Sequence, residues 1–244
     1  INCYRFGLVA YINNMASMAL SSLDKMVIPF FVGPSNLTYY NMPGSVAAKI
    51  PGITNTLTVS MLPTTSQLSG SDEISRMKTM YIRSFRLMTV IAGALTITAI
   101  SFSYEILKYW LNSDFADRSA VVLIILALTN FILALFGPLS NFLLGLGKLK
   151  FLATSSVCMA ILNAVALFTL LPLYGIVGAA WAYLISVLPV IYLFYYIETR
   201  YLNLPNRGTY YKKTIIGTMV VVFFVWLLNF FMTHFVISLP TLLI

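Results

Sequence analysis

The sequence predicts an all-α polytopic membrane protein of about seven transmembrane helices. Three observations carry that class. The chain is 59% hydrophobic and only 9% charged, where a soluble domain carries about 25% charge. Its apolar residues come in continuous runs, not in the alternating pattern of an outer-membrane barrel. A single charge, Lys49, interrupts an otherwise uncharged stretch from Leu37 to Gly70.

The elements follow in chain order. An apolar run over 6–32 forms the first helix and is broken only by Asp24 and Lys25. The second covers 39–68 and carries Lys49. The segment SGSDEISRMK, residues 69–78, starts a short interfacial helix leading into the third span, 85–110, which closes on Tyr109 and Trp110. The fourth covers 119–146 and the fifth 151–171, separated by Lys148 and Lys150. The sixth, 176–197, opens with YGIVGAAWAYLIS. There Gly178, Ala182 and Ser186 make a small-xxx-small packing face; Gly93 with Thr89 and Thr96 does the same for the third helix. A charged loop at 198–213 leads to the seventh, 214–237. Pro51, Pro63, Pro138 and Pro189 predict kinks rather than breaks, because neighbouring helices satisfy the freed carbonyls.

Loop charge sets the orientation. Arg5, then Arg76, Lys78, Arg83 and Arg86, then Lys148 and Lys150, then Arg200, Arg207, Lys212 and Lys213 all fall on one side. Only Lys108 and Arg118 fall on the other. Eleven basic residues against two make the first side cytoplasmic. The same distribution accounts for the net charge of +8 without nucleic acid, since no basic domain exists to hold it. Tyr109 and Trp110 outside, with Tyr195, Tyr196 and Tyr201 inside, read as interface anchors.

Two polar stripes stand out on the first two helices. Asn14, Ser17, Ser21 and Asp24 recur at helical spacing, with Lys25 one turn past Ser21. Ser45, Lys49, Gly52, Thr56 and Ser60 form the second stripe, centred on the lysine. The eleven Leu, Ile, Val and Phe residues from Phe6 to Val32 contribute roughly −3 to −7 kcal/mol to insertion, and Asp24 with Lys25 costs about 5–7 kcal/mol. The balance is near zero, so these side chains should face protein or a wet cavity. By helical rise, Asp24 and Lys49 lie roughly 12 and 15 Å from the outer end, which lets them meet. One reading is therefore an Asp24–Lys49 ion pair joining the hairpin, with Lys25 snorkelling outward. The other is a cavity in which Lys25 and Lys49 bind an anionic cargo, Asn14, Ser45 and Thr56 line it, and Asp24 couples transport to an ion. Both can hold together.

Asn130, Asn141 and Asn163 read as interhelical amide links. Cys3 and Cys158 are far apart and outside any CxxC pair, and His234 is the only histidine, so no metal site or cofactor is implied. No nucleophile elbow or phosphate loop occurs. The outer loops are short for a membrane glycosyltransferase or polymerase, so the chain reads as a non-enzyme. It begins at Ile1 with no signal peptide, and is expected to be part of a longer protein.

Residues 23–50, LDKMVIPFFVGPSNLTYYNMPGSVAAKI, resemble the seventh-to-eighth helix region of bacterial polysaccharide (O-antigen) flippases. That superfamily also holds the MATE drug exporters and the lipid II flippase. The marks are Asp24 and Lys25, the apolar run to Gly33, and Tyr40 opening the next helix. Pro63 with SGSDEISRMK, the LN at 162–163 and LPLYGIVGAAWAYLIS at 171–186 are similar too. The resemblance implies a six-helix C-terminal lobe at 1–197, a cytoplasmic loop at 198–213, and an accessory helix with the start of an outer loop at 214–244. It further implies a missing N-terminal lobe and a bacterial inner-membrane location. The implied activity is flipping of an undecaprenyl-pyrophosphate-linked oligosaccharide by alternating access, among membrane lipids. A MATE-type cation antiporter is the alternative, and would want acids rather than lysines in the cavity.

Overall fold

The structure, a computed structural model, describes residues 3–59 and 73–199. Its regular elements are helices: α1 (Cys3–Val32), α2 (Pro34–Ala47), α3 (Lys49–Val59), α4 (Glu73–Ser101), α5 (Ser103–Trp110), α6 (Ser113–Gly145), α7 (Leu149–Ser186) and α8 (Leu188–Ile197). Among the described residues, four stretches are long and apolar enough to cross a bilayer: Gly7–Val32, Lys78–Ser101, Ser113–Leu144 and Leu149–Ile197. The chain is an all-α polytopic membrane protein.

The last of these stretches is 49 residues long, over twice what a bilayer requires, and it is not one rod. The rings of Phe151 and Tyr196 lie 5.6 Å apart. Along a straight helix they would be roughly 68 Å apart at about 1.5 Å per residue. The reversal is at Gly175, whose φ of 60° and ψ of −140° leave helical geometry, a conformation that glycine reaches without a Cβ clash. The two arms, 149–174 and 176–197, match the predicted fifth and sixth spans. They meet closely at Gly178, where a Cβ would clash with the Leu170 carbonyl oxygen. Gly178, Ala182 and Ser186 are all buried, as a small-residue packing face requires.

α2 and α3 form one kinked arm. Helical bonds run through the junction, from the Ala48 N–H to the Gly44 carbonyl (2.9 Å) and from the Gly52 N–H to the Ala48 carbonyl (3.2 Å). Pro51 has no N–H for the Ala47 carbonyl, which bends the helix there. Residues 34–59 reach roughly 39 Å at helical rise, enough to cross.

Three boundaries differ from the sequence expectation. The second helix starts at Pro34, not at 39, because Gly33 (φ 91°) makes the turn alone and proline suits the first helical position. α4 runs unbroken from Glu73 into the membrane. There is no Gly or Pro between Glu73 and Ala92, and Tyr81, Phe85 and Met88 share one buried face. From Glu73 on, the predicted interfacial segment is continuous with the third span, whose membrane-length stretch begins at Lys78; residues 69–72 lie outside the described residues. α6 begins at Ser113, not 119, capped by the Asn112 side chain, which accepts from the Phe115 N–H at 2.8 Å. Pro138 lies inside α6 as predicted, while Pro189 sits in the first turn of α8 beyond a break at Val187. Ser60, Pro63, Tyr201, the loop beyond 199 and the span at 214–237 lie outside the described residues.

α6 is the central post, touching α2, α3, α4, α5 and α7, while α1 packs mainly on α7. One apolar core joins Ile28, Tyr40, Leu107, Leu123, Leu167 and Ala179; a second joins Tyr81, Phe85, Phe142, Leu193 and Ile197. α1 is the open side of the bundle. Only 17% of its membrane window is buried, against 44% for Ser113–Leu144.

The hairpin makes a specific demand. Gly178→Val must push the two arms apart and should cost about 1–3 kcal/mol, the range for overpacking a close contact. Gly7→Ala, where nothing lies within 4 Å, should be neutral. Thermal unfolding of the two variants in detergent checks this.

Candidate functional site

The site grows from the register of α1. Ala16, Leu20, Asp24 and Ile28 recur every four residues on its buried face, with Asp24 only 5% exposed. The next residue is turned by about 100°, so Lys25 points outward and is exposed. One helix thus presents an acid inward and an amine outward at the same depth.

Asp24 has partners from two other arms. The Tyr40 hydroxyl of α2 donates to Oδ2 at 2.7 Å, and the Asn163 Nδ2 of α7 donates to Oδ1 at 3.1 Å. Tyr40 is 6% exposed and Asn163 fully buried. Among the described residues Asn163 Oδ1 has no hydrogen-bond partner, an unusual state for a buried amide oxygen. Tyr183, on the second arm of α7, is near enough to interact electrostatically with Asp24. A further bond on the α1–α7 seam runs from the Ser156 hydroxyl to Asn13 Oδ1 at 2.8 Å.

The Asp24–Tyr40 bond fixes the register of the hairpin and separates Asp24 from Lys49. Tyr40 and Asp24 are level, and Lys49 lies nine residues further along, roughly 13 Å deeper at helical rise. The ion pair that the sequence allows is not formed; Tyr40 and Asn163 take the carboxylate instead. The reason is the early start of α2, which adds a turn of helix above Tyr40. Lys25 therefore lies near the level of Tyr40, on the Gly33 side, and Lys49 lies well away from it along the second arm.

Both stripes are on open faces. Asn14, Ser17, Ser21 and Lys25 are exposed along α1; Ser45, Lys49, Gly52 and Thr56 are exposed along α2 and α3. The hydroxyls turn back on their own helix: Ser17 to Asn13, Ser21 to Met18, Ser45 to Met42 and Thr56 to Gly52, each donating to a backbone carbonyl. That leaves the two amines and the Asn14 amide as the groups of these stripes able to meet an external anion. Asn14, Lys25, Ser45, Lys49 and Thr56 thus share exposure, but Asp24 is buried behind them. Sequence reasoning missed Tyr40 and Asn163 as the acid's partners. The usable signal was symmetry about the turn, since Asp24 precedes Gly33 and Tyr40 follows it by similar distances. Asn163 is the interhelical link the sequence predicts, whereas Asn130 donates within its own helix to the Leu126 carbonyl.

Three comparisons bear on this arrangement. A profile of the MatE family matches residues 10–169. A protein of Shigella flexneri named "Putative O-antigen transporter" is 24% identical over 195 residues, which cover 80% of this chain and 46% of that protein. A Haloferax volcanii protein named "Probable flippase AglR" is 23% identical over 187 residues, covering 76% of this chain and 39% of that one. The chain thus spans less than half the length of these two relatives. The fold is that of the lipid II flippase MurJ in its inward closed conformation, with a TM-score of 0.61 at 13% identity, covering 94% of this chain and 52% of MurJ.

The acid's setting predicts an order of stabilities. Asp24→Ala leaves the Tyr40 hydroxyl and the Asn163 amide buried without an acceptor, at about 1–3 kcal/mol each. Asp24→Asn keeps one acceptor oxygen and should cost less. Melting temperatures of the purified variants in detergent should fall in that order.

Proposed function

The chain belongs to the MatE family, and from that premise we propose that it is one lobe of a flippase for a polyprenyl-pyrophosphate-linked oligosaccharide. The cargo class follows the O-antigen unit of a bacterial inner membrane. A second lobe, supplied by the rest of the protein, would close over the exposed faces of α1 and α2–α3. The observation that carries the reading is the pair of lysines on those faces. A lysine in the bilayer costs about 2.5–3.5 kcal/mol on insertion scales if it faces lipid. Two of them on open faces, each within a polar stripe, are at home against a wet cavity. A cavity with that charge attracts a diphosphate, while the polyprenyl chain stays in the bilayer.

The depth of the two amines suggests an order of use. Lys49, toward the inner end, meets the diphosphate as it enters from the inner leaflet. Lys25, in the outer half, takes it as the lobes rock outward. Asn14, Ser45 and Thr56 flank this path. Asp24, behind Lys25 on the same helix, is the group placed to couple the movement to a proton or a cation. A cation exporter of the same family fits less well, because the exposed stripes carry amines and the one acid among them is turned away.

The test is flipping of a fluorescent lipid-linked oligosaccharide by the complete protein in proteoliposomes. Lys25→Ala and Lys49→Ala should each lower the rate about tenfold or more, the loss of one charge-assisted phosphate contact, with unchanged protein level. Arginine at either position should restore much of it. Full flipping by the double alanine variant would remove the cargo reading. Drug export that needs Asp24 and ignores Lys49 would favour the exporter.

A further inference from the structure

We propose that Tyr40 is a positioning residue, whose bond to Asp24 ties the arm bearing Lys49 to the helix bearing Lys25 according to the charge on the acid. The inference rests on the flippase reading above, because it assigns the lysine stripes to the cargo path.

The geometry supports it at each step. Below the Gly33 turn, Tyr40 Oη to Asp24 Oδ2 is the hydrogen bond that joins α1 to α2 among the described residues. The other polar link between them, from Asn36 Nδ2 to the Val32 carbonyl, lies at the turn itself. Tyr40 is packed in the apolar core with Ile28 and Leu123, so its hydroxyl is shielded on the apolar side and turned to Asp24. The groups that face Asp24 are Tyr40 from α2, Asn163 and Tyr183 from the two arms of α7, and Lys25 beside it on α1. α1 is the least buried of the membrane-length stretches, and it rests mainly on α7.

The chemistry then gives the link two strengths. An O–H···O bond to an ionised carboxylate is roughly twice as strong as one to a neutral partner. A proton or a cation on Asp24 removes the net charge and weakens the bond. The ionised acid therefore holds α1 against α2, and the neutralised acid lets them part. Because Lys25 rides on one and Lys49 on the extension of the other, the spacing of the two amines follows the ion on Asp24. A tyrosine that merely filled space would do none of this.

The complete protein, cysteine-free and carrying spin labels at the exposed Met18 of α1 and Ala48 at the α2–α3 junction, reports the spacing by pulsed electron resonance. Three buffers are compared: mildly alkaline without sodium, the same with sodium, and mildly acidic. In the otherwise unchanged protein at least one of the latter two should shift the balance between close and parted distances, by about fivefold. Tyr40→Phe should show one distribution in all three. A Phe variant that keeps the shift overturns the inference, as does an unsubstituted protein that shows none. If Tyr40→Phe fails to accumulate, Asp24→Asn should be locked in the parted distribution; one that still responds overturns the inference equally. Failure is separable from that of the cargo reading. Lysine variants that stop flipping, beside an ion-independent distance, keep the cargo and discard the tyrosine link. An ion-dependent distance in a protein that flips no lipid-linked sugar does the reverse.

Discussion

Hydrocarbon does not solvate charge, and the way this chain disposes of Asp24, Lys25 and Lys49 organises the rest of the molecule. The acid is turned inward and given two hydrogen-bond donors from separate arms. The amines are turned outward, onto faces that the bundle leaves open. A helix of 3.6 residues per turn makes that division possible for two consecutive residues. The same acid fixes the depth of everything around it. Its bond to Tyr40 sets the register of the first hairpin, and its bond to Asn163 sets the height of α1 on α7.

Among the described residues, the helices that support this are joined by short turns. Gly33 and Gly175 each reverse the chain in a single residue of positive φ, and Gly147 (φ 68°) closes the α6–α7 turn in the same way. Between these points the arms are long, apolar and packed on α6. The small faces let them approach closely, as at Gly178. The chain is a member of the MatE family, and its fold is shared with part of the lipid II flippase MurJ.

Much of this was legible in the residues. Continuous apolar runs gave the class. The break between the fifth and sixth arms was visible at LPLYGIVG, and the two polar stripes were visible from spacing alone. What was not legible was register. A polar run such as PSNLTYYN reads as loop by composition, yet Pro34 starts a helix there because Gly33 has already completed the turn. That single turn of helix moved Lys49 away from Asp24 and brought Tyr40 to it. Glu73–Arg86 misled for a related reason: its charges suggested a surface segment, while its unbroken helix formers and the buried face of Tyr81, Phe85 and Met88 carried it straight into the span. Partners such as Asn163 lie 139 positions from the acid in sequence, and periodicity along one helix cannot see across that separation.

The central claim is that the lysine-bearing faces look into water and not into lipid. Single cysteines at positions 25 and 49, introduced into a cysteine-free complete protein in native membranes, test it directly with a membrane-impermeant maleimide. Both positions should be labelled, and lipid-linked oligosaccharide should protect them. Labelling of both only by a lipid-soluble reagent, with no protection by the cargo, would contradict the account.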